Sequence, residues 1–144
     1  MKSWVIYNKF IPVKGFTAMT ILWWIFVRKE HKAKFIYRGR LHRHEQTHSV
    51  QQVELMVLAC IITPLLIWLT SSSWWFLFAI PVFPIAVYVF CWLVELALPP
   101  YNHAYKNVCF ETEALLHQNE PDYLHIRSPF SFLQYISNRK YPVK

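Results

Sequence analysis

The sequence predicts a mainly α-helical chain with a short N-terminal β-hairpin and a two-helix apolar hairpin, and three observations lead there. Two uncharged apolar blocks, 55–69 and 74–94, flank Thr70-Ser71-Ser72-Ser73. A His44-Glu45-Gln46-Thr47-His48 segment runs directly into the first block. Ahead of it, residues 16–27 are rich in the β-branched and aromatic types that favour strands. With 144 residues and no linker, the expectation is a single domain, 1–144.

Composition narrows the class. Hydrophobic residues at 55% and only two glycines exclude a disordered or collagen-like chain. The net charge of +7 is compatible with nucleic acid or with an anionic lipid surface. No zinc-finger, RNA-recognition or base-reading helix pattern is present. The expected partners are therefore membrane lipid and a peptide or protein substrate, with no nucleic acid. Cys60, Cys91 and Cys109 form no CxxC pair, and two of them sit in apolar runs, so reduced thiols are expected. The first residues lack the apolar core and small-residue cleavage site of a signal peptide.

As a helix, the 16–27 run would reach only roughly 18 Å, short of the ~30 Å hydrocarbon core. A strand is the better expectation. A charged, turn-like stretch follows, with Phe35-Ile36-Tyr37 inside it, and the hairpin is placed at 18–28 and 33–38.

The motif helix is expected over 41–69 and the second apolar helix over 74–98. The 74–94 run is long enough to cross a bilayer, and 55–69 crosses if it prolongs the helix begun upstream, with Gln51, Gln52 and Glu54 at the interface. Pro64, Pro81 and Pro84 are tolerated better in a membrane than in a soluble helix. Trp68, Trp74 and Trp75 cluster by the serine turn as an interfacial belt would. The competing reading, a buried hairpin in a soluble core, asks the rest of the chain to cover two helices that are apolar on every side. The serine turn is uncharged and both outer ends are basic, so both termini are expected in the cytoplasm. Glu95 falls where the second helix leaves the apolar layer, to snorkel or pair with a nearby basic residue.

On a helix, His44 and His48 project from one face at ligand distance for a single ion. Two imidazoles and one carboxylate would leave a fourth zinc position for water, and Glu45, turned ~100° away, is placed to take a proton from it. Chance supplies such a motif in roughly one to two per cent of chains of this composition. The competing reading is two surface histidines on a basic helix. His42 points elsewhere and is left out of the site.

The third ligand comes from the return. A helix from His48 to the serine turn covers ~33 Å, and the second helix covers the same distance by about residue 96. The next helix, about 104–118, carries Glu111 and Glu113. They lie ~200° apart, so only one faces the metal. Glu111 shares a row with Asn107 and has the small Ala114 beside it; Glu113 is then expected at the surface or against Lys and Arg. His103 and His117 are alternative ligands.

With these residues in place, the chain resembles the gluzincin zinc metallopeptidases, in which HExxH is followed by a ligand Glu on a later helix. Phe110-Glu111-Thr112-Glu113-Ala114 is similar to the F-E-x-x-A segment of the membrane-embedded CAAX-protease/HtpX class. His48-Ser49-Val50-Gln51-Gln52 is similar to the continuation of the motif in small bacterial gluzincin-like proteins. The resemblance implies a zincin-like minimal core, one zinc held by His44, His48 and Glu111, and Glu45 as the catalytic base. It implies hydrolysis of peptide bonds, an inner-membrane location with a cytoplasmic site, and a substrate-binding strand within 17–27. One departure stands out: many gluzincins carry Asp four residues after the ligand Glu, where this chain has Leu115. That keeps a non-catalytic membrane protein with a structural or vestigial metal site as the alternative, and Asn107 as a substitute hydrogen-bonding partner. Tyr101, Tyr105, His103 and His125 are the candidates for stabilising a transition-state oxygen.

After Pro121, Ser128-Pro129 reads as a helix start, and Phe130, Leu133 and Ile136 recur at helical spacing. A C-terminal helix over 129–139 is expected, lying on the membrane or packed on the site.

Overall fold

The computed structural model describes residues 3–99 and 101–136. It is mostly helical, with a small N-terminal sheet and two long apolar helices.

Strands β1 (Trp4–Asn8), β2 (Ala18–Ile21) and β3 (Trp24–Arg28) form a three-stranded sheet in the order β1-β3-β2. β2 and β3 are antiparallel, joined through Leu22-Trp23, while β1 pairs with β3 in parallel. This corrects the expected hairpin of 18–28 and 33–38 in two ways. The turn falls inside the first expected strand, at Leu22, whose φ of 54° is left-handed. Residues 33–38 form no strand, and Phe35 folds under the sheet to pack with Ala18, Ile25 and Val27.

Helix α1 (Arg40–Thr70) matches the expected motif helix within a residue at each end. It starts at Gly39, where a Cβ would lie 2.8 Å from the Ile36 carbonyl oxygen, so the close approach requires glycine. It ends at Ser71 in the left-handed conformation, whose N–H bonds Ile67 O. The second apolar helix is composite. Residues Trp74–Val82 form a 3-10 helix, and α2 (Phe83–Leu96) continues as an α-helix. Pro81 explains the change, since it lacks an N–H and its ring crowds the carbonyl four residues back. Pro84 sits in the first turn of α2, where no N–H is required.

Both apolar helices are long enough to cross a membrane, and their most apolar stretches are only 17% and 6% buried within the molecule. A soluble core helix would be mostly covered. The expected 104–118 helix is broken into α3 (Ala104–Asn107) and α4 (Cys109–His117), with Val108 extended between them. After α5 (Tyr123–Ile126), the expected C-terminal helix appears as a 3-10 turn, Ser131–Tyr135. Pro129 does not start it, because Phe130 takes φ 56° and swings the chain so that the Phe132 ring packs, tilted, on Phe110 with centroids 4.5 Å apart. The segment thus packs on the site-bearing helices; the expected helix beyond 136 lies outside the described residues. A core of Leu55, Val108, Cys109, Phe110 and Phe132 joins α1 to α4, with Phe83, Val87 and Tyr88 of α2 against it.

Candidate metal centre

The fold brings the two halves of the chain together at one point on α1. His44 and His48 lie one turn apart, and their Nε2 atoms are 3.1 Å from each other. α4 carries Glu111 against them, with Oε2 3.5 Å from His44 Nε2 and Oε1 3.3 Å from His48 Nε2. One ligand atom from each residue falls within 4.8 Å of the others. Tetrahedral bonds of roughly 2.0–2.2 Å to N and O ligands place those atoms ~3.3 Å apart, so the spacing fits a single metal ion. At 3.1 Å the two imidazole nitrogens can share a proton or hold a metal ion between them, and the Glu111 carboxylate balances the charge of either.

Burial alone would push the Glu111 carboxyl up, but the charge and hydrogen bonds of His48 and His44 outweigh it and hold it well below the carboxylate range. Glu111 is 3% exposed, so a charged form must be locally compensated. Tyr88, from α2, donates its hydroxyl to Glu111 Oε1 at 2.9 Å. Burial, and then the Glu111 charge, push the Tyr105 hydroxyl above its ordinary range, so it stays protonated.

Glu45 is buried beside the cluster, and Thr20 of β2 fixes it. The Thr20 hydroxyl donates to Glu45 Oε2 at 2.7 Å and lies 3.1 Å from the Glu45 carbonyl oxygen. The strand therefore sets the rotamer of the expected base.

Behind His48 runs a chain of polar contacts. Because Nε2 faces the cluster, Nδ1 carries the proton and donates to Gln51 Oε1 at 2.8 Å. Gln51 Nε2 donates to Glu113 Oε2 at 2.8 Å and to the Phe110 carbonyl at 3.1 Å. Glu113 Oε1 accepts from the Tyr123 hydroxyl and from Arg127 Nε. Arg127 also grips Glu54 with both terminal nitrogens. Burial works against the Arg127 charge, but Glu54 and Glu113 outweigh it and hold the guanidinium firmly cationic. Among the described residues His44 Nδ1, also buried, meets no hydrogen-bond partner. The two histidines are therefore oriented by different means.

Of the expected residues, the structure assembles His44, His48 and Glu111, with Glu45 adjacent. His42 packs against Tyr37 and Phe35, outside the cluster. His117 bonds Glu120 and Tyr135, and the described metal cluster includes neither His117 nor His103. Glu113 is not a surface carboxylate: it is fully buried, because Arg127 arrives from fourteen residues on to balance it. Gln51 and Glu54 are likewise turned into this network rather than toward a lipid interface. Glu95 is 9% exposed and does not reach out to water. Tyr101 is 61% exposed and His125 is also exposed, whereas Tyr105 lines the site. Sequence reasoning missed Thr20, Tyr88 and Arg127. Only Gln51 left a signal, at three residues from His48 on the same helix face.

The cluster opens into a cleft of about 350 Å³ lined by Met19, Thr20, His44, Glu45, His48 and Ile85, among others. β2 forms the edge of its sheet and one wall of this cleft. Compared with known proteins, the chain matches no family model, no curated protein and no solved structure. The reading of the site therefore rests on its own geometry.

Proposed function

We propose that this protein is a membrane-anchored zinc metallopeptidase of gluzincin type, with a zincin-like core, that hydrolyses peptide bonds. The observation that carries the reading is the His44–His48–Glu111 cluster at 3.1 to 3.5 Å, sharing one cleft with the Thr20-fixed Glu45. A nitrogen–nitrogen–oxygen donor set that leaves a fourth position is the arrangement of catalytic zinc. Bound there, zinc would supply Lewis acidity toward a carbonyl and a lowered pKa for water.

The protein's own residues do the rest. Glu45 accepts a proton from the attacking water and returns it to the leaving amine nitrogen. Thr20 keeps one carboxylate oxygen occupied so that the other is presented to that water. Tyr105, protonated on the cleft wall, is the donor for the oxygen that gains charge. β2 is an edge strand whose backbone around Ala18 is offered to an extended peptide, while Gln52 already holds Thr20 O and Leu22 N. α1 and the Trp74–Leu96 segment span the membrane, and the excess of Lys and Arg outside the serine turn supports a site on the cytoplasmic face, as in a bacterial inner membrane.

The alternative, a metal site without activity, draws on Leu115 standing where related enzymes orient a histidine. The Gln51–Glu113 pair weakens it by supplying that orientation to His48 from another direction. The decisive experiment is Glu45→Gln in the detergent-purified protein, assayed for zinc content and for hydrolysis of fluorescein-labelled casein. Retained stoichiometric zinc with lost hydrolysis is expected. Hydrolysis at the unsubstituted rate removes Glu45 as the base, and wild-type protein that holds zinc without cleaving supports the alternative.

A further inference from the structure

The sheet carries an apolar surface of which only the β2 margin, at Met19 and Ile21, borders the cleft of the metal site. Its inner face, with Ala18, Ile25 and Val27, is buried. Its outer face is also apolar: Trp4 stands opposite Trp24, and Phe26 stands opposite both Ile6 and Met19. Trp4 is 67% exposed, Trp24 40% and Trp23 39%. A water-facing sheet surface normally alternates to polar residues, and this one does not.

The position of the three tryptophans indicates what covers them. Trp23 and Trp24 are ring neighbours at 5.6 Å, and Trp4 N–H bonds the Trp23 carbonyl at 2.8 Å. Next to Trp23, Leu22 N–H donates to Gln52 Oε1 at 2.6 Å. The tryptophan end of the sheet therefore meets α1 where its polar half gives way to the apolar run. Trp68, Trp74 and Trp75 mark the other end of that run. From Gln52 to the helix end at Thr70, beside Trp68, Trp74 and Trp75 in the chain, the helix rises about 27 Å, approaching the ~30 Å hydrocarbon layer. At the opposite end of the strands the chain is lysine-rich, with Lys9, Lys14, Lys29, Lys32 and Lys34 all exposed.

We propose that the N-terminal sheet is an interfacial anchor, its Trp4–Trp23–Trp24 end and outer face resting in the headgroup region of an anionic bilayer. It rests on the reading that the helical hairpin spans the membrane. Two tryptophan belts bracket one apolar segment, as amphipathic indole rings do at both membrane surfaces. The net charge of +7 is complementary to the cytoplasmic, anionic leaflet. The sheet then holds Thr20, and through it Glu45, at a fixed height above the lipid.

The test uses the full chain in nanodiscs of phosphatidylethanolamine and phosphatidylglycerol doped with brominated lipid. Wild type is compared with a Trp4→Phe/Trp23→Phe/Trp24→Phe variant and with a Trp68→Phe/Trp74→Phe/Trp75→Phe variant, so each difference in emission reports one belt. If the sheet triple does not fold, Trp4→Phe alone gives the same difference signal. The sheet belt is expected to be quenched roughly twofold or more by shallow-brominated lipid and to resist aqueous acrylamide. Quenching by acrylamide alone overturns the anchor in favour of a water-facing sheet. Quenching by neither, with cross-linked dimers, overturns it in favour of a second copy on this face. If the serine-turn belt is quenched by lipid and the sheet belt is not, only this inference fails. If neither belt is quenched by lipid, the spanning hairpin fails with it.

Discussion

The two halves of α1 are one helix built for opposite surroundings. From Arg40 to Gln51 the buried side chains are His42, His44, Glu45, Thr47, Ser49 and Gln51, a polar interior. From Val57 to Leu69 the exposed ones are Val57, Cys60, Ile61, Ile62, Leu65, Leu66, Trp68 and Leu69, an apolar exterior. A single helix can carry both because the sheet and α4 wrap only its first half. The comparison teaches that paired buried polar groups and exposed apolar surface are divided along the helix axis, with Gln52 and Glu54 at the boundary. Buried polar groups are costly unless each is paired, so the first half should be intolerant of lost partners. The second half should be intolerant of gained charge.

The largest effect is expected at Glu113. Glu113→Leu leaves Arg127 with Glu54 alone and Gln51 Nε2 with only the Phe110 carbonyl, and breaking such a buried pair costs about 3–5 kcal/mol. Denaturant unfolding in detergent checks it; a loss within ~0.5 kcal/mol, the range of ordinary surface changes, would mean the network carries little of the stability. Slightly smaller is Ile61→Arg, at the 63% exposed middle of the apolar half. A central arginine disfavours membrane insertion by roughly 2.5–3.5 kcal/mol, whereas on a water-facing helix it would be nearly silent. A glycosylation-based insertion assay separates the two outcomes.

How much of this could be read from sequence follows the range of the interactions. α1 was legible because HExxH spacing and an unbroken apolar run are properties of consecutive residues. The His44, His48 and Glu111 cluster was legible because two helical arms of similar length return the chain to the same level. β1 was not, because its partner β3 lies twenty residues on and the pairing is parallel, so no local turn announces it. The Leu22-Trp23 turn was hidden for a different reason: it uses apolar residues and a left-handed Leu22 where Gly or Asn would have signalled a turn. The burial of Glu113 depends on Arg127, and nothing near Glu113 in sequence foretells that pairing.

The asymmetry between the two histidines sharpens the comparison inside the polar half. His48 has Gln51 on Nδ1 and His44 has no such partner. Gln51→Leu is expected to lower zinc affinity 10–100-fold, about 1.4–2.7 kcal/mol, by freeing the His48 ring. Competition against a chromophoric chelator measures it. Gln52→Leu, one residue on, touches Thr20 O and Leu22 N instead and should leave zinc affinity unchanged.

The smallest effect is expected at the contact between strand and base. Thr20→Val keeps the shape and the 7% exposure of a buried β-branched residue but removes the hydroxyl that bonds Glu45 Oε2. One hydrogen bond to a charged group is worth about 1.5–3 kcal/mol, and the residual packing around Glu45 retains part of its orientation. A fall in kcat of roughly 10-fold, about 1.4 kcal/mol, is therefore expected, with zinc content unchanged. Thr20→Ser should restore most of the rate, since it returns the hydroxyl without the methyl. A loss of zinc in Thr20→Val would instead make the strand a support for the metal ligands. A fall confined to KM would place Thr20 on the substrate side of the cleft. Loss in kcat alone would tie the sheet to the proton transfer, because the residue that sets Glu45 lies on β2 three residues before Trp23.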